Sequence, residues 1–529
     1  MLPVLPNTSG ATRVPVSQFG GLERRIGAGN GTIRDMVNLT GDDVPVLSSR
    51  QKRKQTATMT NPRGIVGIGQ DLFYVDDNKL YKNGTAYAGS MTGAANDERV
   101  FATMGTRLVV WPDKRLYATD STTQEQLGTS TNRLVYFEDG TYAGEPAEKN
   151  TIRAASSSYH WTGFKVGDAV TITCNQIPLN KNNQTVIIRE IDNDKLRFYP
   201  NTFSENSTEG GPGNQTTVER TVPDLDFICV NENRVWGCKG DTIRCCKLGD
   251  PYNWNVFDGL STDAWSVETG TPGSFTGCIS FMGYPVFFKE DRVFKVYGNR
   301  PSNFEVMSSA TLGVLNGAYR TMAVAGETLY YLSRAGFVRY SGGYPSAVDA
   351  ALNAKYIGGA AGSDGKKYYV SAVKEDNTVE FLVYDPETGV WIKEDTLAAK
   401  AIANVGNTVY VQSATAISIV TPTASPTEAD FESSVTFADF DLQTFASKYP
   451  VRLWLRMENA ADVTVKITYN GGAMETVTTI PAADKSTRYI PVPIRRCDRF
   501  GVKLSSTKAW KLYAMEIETR AERTNRKGG

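Results

Sequence analysis

GQDLFYVDDNKLYKNG (Gly69–Gly84) and GTRLVVWPDKRLYATD (Gly105–Asp120) are two copies of one phrase, in which β-forming residues flank a polar turn and a second short apolar stretch follows. Leu72, Asp77, Leu80 and Tyr81 recur as Leu108, Asp113, Leu116 and Tyr117, each 36 residues on. Looser copies are ENRVWGCKGDTIRCC from Glu232, GYPVFFKEDRVFKVYG from Gly283, GETLYYLSRAGFVRYSGG from Gly326, GKKYYVSA from Gly365 and GNTVYVQSATAISIV from Gly406. Each copy reads as a hairpin of β-branched and aromatic residues, and a return at roughly 35 to 50 residues is the period of a propeller blade. The sequence therefore predicts an all-β chain whose centre is a β-propeller of about six or seven blade-like units.

The repeat starts late, stops once and resumes. Residues 1–60 lack any period and read as an extended N-terminal arm that orders against a neighbour. Blade-like units fill 61–130. Residues 131–222 then carry short alternating strands around Gly167-Asp168 and Asp192–Asp194, which is the pattern of a small inserted β-barrel or sandwich. Blades resume over 223–420, and TPTASPTEAD (421–430) marks a linker. Clean alternation over 431–520 predicts an antiparallel β-sandwich, and 521–529 reads as a disordered tail. The one hint of helix is a short segment near Ser346–Ala354.

Composition narrows the chemistry. Lys plus Arg and Asp plus Glu both total 57, so the formal charge is zero and bulk electrostatic binding of nucleic acid is disfavoured. No export signal and no long apolar run is visible, so no membrane span is expected and the chain reads as made in a cytosol. Seven cysteines without C-x-x-C spacing read as buried thiols.

Catalytic raw material is thin. The single histidine, His160, would have to serve any metal site or His-based acid/base, and neither cofactor nor metal is expected. GAGNG (Gly27–Gly31) lacks the strand, Lys-Ser/Thr and helix of a phosphate loop. A glycosidase would need two carboxylates across a pocket. Glu290 with Asp291, and Asp241, fall instead in hairpin turns, where acids are ordinary turn formers. Trp254, Trp265 and Trp391 could form a sugar platform or pack between blades.

Three parts of the chain carry a likeness to a known family: RDMVNL…PVLSSR (Arg34–Arg50), GDPYNW (Gly249–Trp254) with FFKEDRVFKVYG (Phe287–Gly298), and YIPVPIRRCDRFGVKLS (Tyr489–Ser505). In that order they resemble the tail hub or nozzle proteins of short-tailed bacteriophages, a group that includes packaged-DNA stabilisation proteins. The resemblance implies a virion tail protein assembled in the bacterial host cytoplasm, a self-associating hexameric ring below the portal or adaptor ring. Such a ring would pass double-stranded DNA non-specifically, retain it until ejection, and support fibre or spike proteins. It also implies no catalysis.

Under that reading Arg24, Arg25, Arg34, Asp35, Arg50, Lys52, Arg53 and Lys54 are the candidate subunit or adaptor contacts, and Lys289, Glu290, Arg495, Arg496 and Asp498 the candidate rim contacts. Two alternatives stand beside it. One is a carbohydrate-binding or carbohydrate-cleaving propeller at a tail tip; the other is a distal component of a long-tailed phage.

Overall fold

The computed structural model describes residues 11–87, 91, 93, 97–141, 146–174, 182–209, 215–421 and 423–521. Glu522–Gly529, read as a disordered tail, lie outside the described residues. The chain is all-β, a β-propeller with an inserted β module and a C-terminal β-sandwich. It divides into two compact units, one ending at Tyr74 and resuming at Gly317, the other spanning Val75–Asn316.

Each of the seven phrases found in the sequence begins at the first hairpin loop of a four-stranded antiparallel sheet. Gly69, Gly105, Gly283, Gly326, Gly365 and Gly406 all lie in the first hairpin loop of their sheet, at φ between 59° and 93°. Where the loop has two residues and glycine comes first, as at Gly105 between Met104 and Arg107, the choice is the one a type II′ turn requires. Glu232 and Asn233 replace glycine in their sheet, with φ of 46° and 57°, which is the type I′ alternative. Positive φ suits the right-handed twist of the flanking strands, so turn chemistry sets the register of every sheet.

In the first unit three meanders run from Ala323, Tyr356 and Ala401. The last of these has only three strands of its own, and Lys54–Thr58 pairs with Ala416–Ile419 to make the fourth. Within this unit the first strands Ala323–Ala325, Tyr356–Ser363, Ala401–Val405 and Pro62–Ile68 lie one against the next. The segment near Ser346–Ala354 is not the short helix expected: Ser346–Ala347 is a strand and only Ala350–Leu352 forms a 3-10 turn. Val338 pairs with Ala347 there, so completion of a sheet overrides the weak helical period.

Residues 11–49, set apart in the sequence as an arm, supply strands to both layers of the C-terminal sandwich. Ala11–Val16 and Leu47–Ser49 pair with Trp510–Ala521, while Ile33–Val37 pairs with Ser433–Phe437. Ile33, Met36, Leu39 and Leu47 are buried, joining Val435, Leu453, Leu455, Val465, Val502 and Leu512 in the sandwich core.

The second unit holds the meanders from Val100, Phe227 and Gly277, whose first strands again lie against one another. The inserted module stacks a four-stranded and a five-stranded sheet over Phe137, Ile152, Trp161, Val170, Leu196 and Phe198. Its entering strand Thr129–Arg133 pairs with its leaving strand Thr216–Arg220, so the chain exits beside its point of entry. All seven cysteines are buried.

Candidate functional site

Most of the charged candidate residues of the N-terminal segment are engaged within their own unit. Arg24 grips Glu380 with two parallel bonds, Nη1 to Oε2 at 3.0 Å and Nη2 to Oε1 at 2.9 Å. Glu380 also accepts from the Tyr356 hydroxyl at 2.9 Å and pairs with Lys374 at 2.9 Å. Burial works to raise the Glu380 carboxyl, but the bonds from Arg24 and Lys374 outweigh it and hold the group down to about 2. Asp35 pairs with Lys393 at 3.0 Å, and Arg25 with its neighbour Glu23.

Arg50 and Arg53 form a second network. Arg50 holds both oxygens of Glu428 at 2.7 Å and donates to Asn38 Oδ1 at 2.8 Å, with Phe431 beneath its guanidinium. Arg53 reaches Glu394 and Asp395, each at 2.6 Å. Lys52 bonds Asp430 at 2.5 Å, so Glu428 and Asp430, at the end of the stretch read as a linker, are held by ion pairs. Lys54 lies in the strand that pairs with Ala416–Ile419. Arg34 is exposed and, with Arg24 and Asp35, lines a cleft of about 560 Å³.

The rim candidates are dispersed. Lys289 is buried and donates to Asp241 Oδ1 at 2.6 Å and to Thr271, while Glu290 accepts the N–H of Asn316 at 2.9 Å. Arg495 pairs with Glu475 at 2.7 Å, Arg496 bonds Ser447, and the Asp498 N–H donates to Asn470. His160 is exposed. Trp254 and Trp391 are buried, each with its indole N–H on a backbone carbonyl, so neither is a surface platform. Trp265 packs against Trp236 and Phe304.

The seven first strands of the meanders contain no Asp or Glu. A carboxylate pair of the glycosidase kind is therefore absent from them. The acids gather elsewhere in the first unit, in a cleft of about 790 Å³ between residues 40–51 and the C-terminal sheet. Asp42, Asp43, Glu458 and Asp484 line it, with Lys511 the one cation among the described residues of its wall. Trp510 also lines it, 2% exposed, its N–H fixed on Ser433 Oγ at 2.7 Å.

Lys511 bonds Asp43 at 2.9 Å and holds that carboxyl below its ordinary range, which unsuits Asp43 for proton donation at neutral pH. Lys367 reaches Asp42 at 2.5 Å. At the wall of the cleft sits Asn459, 5% exposed. Its amide N–H₂ donates to the carbonyls of Ala461 at 2.7 Å and Pro481 at 3.1 Å, which fixes the orientation of the side chain. Its Oδ1 is buried and has no hydrogen-bond partner among the described residues. An acceptor in that state costs about 1–3 kcal/mol unless something donates to it. Nothing in the sequence marks Asn459; only the three-dimensional pairing of its two faces singles it out.

Comparison with known proteins gives no matching family model and no matching curated protein. Among solved structures the chain is similar to an exo-β-1,3-galactanase from Phanerochaete chrysosporium, with 10% identity, a TM-score of 0.18, and coverage of 88% of this chain and 100% of that one. It is also similar to a glycoside hydrolase family 43 arabinoxylan arabinofuranohydrolase from Bacillus subtilis, with 10% identity, a TM-score of 0.21, and coverage of 89% and 96%. A third is an engineered family 43 glycoside hydrolase, at 9% identity, a TM-score of 0.19, and coverage of 57% and 97%. The expectation of a chain without catalysis stands against these findings, since each of these solved structures is of an enzyme. At such identities and TM-scores they transfer neither an activity nor a residue role to this chain.

Proposed function

We propose that this protein is a carbohydrate-recognising β-propeller protein, with the cleft over Asn459 as its saccharide site. One observation carries the reading: a cleft of about 790 Å³ lined by four carboxylates that offer acceptors and by Lys511, which offers a donor. Sugar hydroxyls are donors and acceptors at once, and their bonds to carboxylates are charge-assisted.

The test is a glycan array on the purified protein, followed by product analysis on each saccharide bound. Binding that is lost in Asp484→Ala, an exposed cleft residue, is the expected result. Failure to bind any saccharide would overturn the proposal. Product formation would extend it from binding to cleavage.

A second reading, a ring subunit of a bacteriophage tail, is favoured by the three family-like phrases and by one surface observation. Ile26 and Phe445 are fully exposed, at 101% and 99%, on loops that Asn30 joins by accepting the N–H groups of Asp441 and Leu442. Large apolar side chains left in water on adjoining loops suit contact with another chain. Electron microscopy of the purified protein and of Ile26→Asp with Phe445→Asp tests it: rings in the first sample and monomers in the second are expected, and monomers in both would sink it.

A further inference from the structure

The outer face of the C-terminal sheet carries a strip of aromatic and cationic side chains that leads toward the cleft. Trp454 pairs in register with Tyr489 on the neighbouring strand, and their rings lie 5.9 Å apart. Arg452 and Arg456 fall two residues either side of Trp454, so the period of a strand puts all three on one face. Arg13 lies 5.0 Å over Trp454, and Arg452 lies 5.7 Å from Tyr489. The next residue on that face is Glu458, which lines the cleft, about 13 Å along the strand from Trp454.

The cations of this strip are loosely held. Arg452 has one distant carboxylate, Glu518 at 3.9 Å, and Arg13 shares Glu516 at 3.6 Å and Glu518 at 3.5 Å. Arg456 is exposed, its side chain reaching Thr487 at 3.5 Å, and no carboxylate pairs with it among the described residues. Compare Arg24 and Arg50 in the same unit, each clamped on two carboxylate oxygens at 2.7–3.0 Å. Three guanidinium groups face two carboxylates here, one of which, Glu518, is only 4% exposed. Tyr489 is 54% exposed and presents its ring beside them.

We propose that the saccharide site extends from the cleft onto this strip, and that the strip takes an acidic sugar unit through Arg456 and Arg452 while Tyr489 stacks on the sugar ring. The inference rests on the saccharide reading of the cleft. It gives the ligand a charge pattern: a carboxylate-bearing unit over the strip and a neutral unit in the cleft, where Glu458 and Asp484 repel an anion. That same repulsion disfavours single-stranded nucleic acid, although aromatic and arginine side chains would otherwise suit it. A polyphosphate running along the strip would meet Glu458 and Asp484.

The experiment measures binding of three probes to the full chain: a polysaccharide alternating uronic acid and neutral sugar, an uncharged oligosaccharide, and an oligothymidylate. Arg456→Gln and Tyr489→Ala alter exposed side chains and leave the thermal midpoint as the check on folding. Each is expected to weaken the acidic polysaccharide by about tenfold and leave the uncharged oligosaccharide unchanged. Asp484→Ala is expected to weaken both. Uncharged saccharide binding with no preference for the acidic polymer, or with no response to Arg456→Gln and Tyr489→Ala, overturns the extended site alone. Absence of all saccharide binding overturns the reading beneath it, and tighter binding of the oligothymidylate overturns the ligand class.

Discussion

Asn253 accepts the backbone N–H of Ala169 on its Oδ1 at 2.9 Å, joining a blade loop to the first residue of a strand in the inserted module. Its amide N–H₂ donates to Asp168 at 3.2 Å and Asp250 at 2.7 Å, and Asp168 in turn pairs with buried Arg220. GDPYNW, the phrase that carried a family likeness, thus has a local structural role in fastening the insertion.

Asn253→Ala should leave the Ala169 N–H without a partner and take one hydrogen bond from the Asp168 carboxylate, at a cost of about 2–3 kcal/mol. Differential scanning calorimetry should show a lower midpoint, and proteolysis should enter residues 131–222 sooner than in the parent. An unchanged midpoint with unchanged protection would refute the fastening role.

Glu380 supplies a pH dependence whose sign is fixed. Its folded pKa, about 2, lies below the ordinary carboxylate value of 4.5 that the unfolded chain restores. The stabilisation is therefore complete above about pH 4.5 and disappears as pH falls toward 2. Glu380→Gln should flatten the acid limb of a stability-against-pH curve and lower stability at pH 7, since Arg24 then lacks its charge partner. A variant whose acid limb overlays the parent would show that other groups set it.

Removing Arg53 should be severe. Burial pushes the Glu394 carboxyl up, and Arg53 is what opposes that shift most strongly. Arg53→Met keeps the bulk yet removes the ion-pair partner of Glu394, so a loss of about 3–5 kcal/mol is expected in urea unfolding. The double variant with Glu394→Gln should recover part of it. If the double variant is no better than the single one, packing over Phe381, not charge, is what Arg53 contributes.

Met282 occupies the first position of a two-residue turn with φ of 54°, followed by Gly283 at 81°. Asn-Gly is the favoured pair for that geometry, and methionine is not. Met282→Asn should raise stability by about 0.5–1 kcal/mol in the same unfolding assay. A neutral or destabilising result would mean that the exposed methionine side chain makes a contribution in the isolated chain that its conformation does not reveal.

The seven hairpins were legible because a turn is decided by two or three adjacent residues, and the phrases from Gly69 to Gly406 spell those residues out. The N-terminal segment was not. Its strands find partners such as Ser434 for Val37 and Leu512 for Leu47, hundreds of residues away, and no local pattern announces such pairing. The cluster Arg50–Lys54 reads from sequence as an intermolecular patch for the same reason: Glu394 and Glu428 lie 341 and 378 residues from the arginines they bind. Of the candidate contacts, Arg24, Arg34 and Asp35 do share one cleft, but none lines the larger one. Asn459 was invisible, because an unsatisfied oxygen is a property of the folded neighbourhood and leaves no mark in composition or spacing.

The strand Lys54–Thr58 has a consequence in time. Thr56 contacts Ile417 across 361 positions, so this strand leaves the ribosome long before its partner exists. At about 5–20 residues per second the wait is on the order of 20 to 70 s. During that interval the early segment must stay soluble without its sheet, and its own sequence suits the delay: KQTAT has no large apolar side chain to aggregate. The sheet that begins at Ala401 is thus completed by a strand that was made early and fitted late.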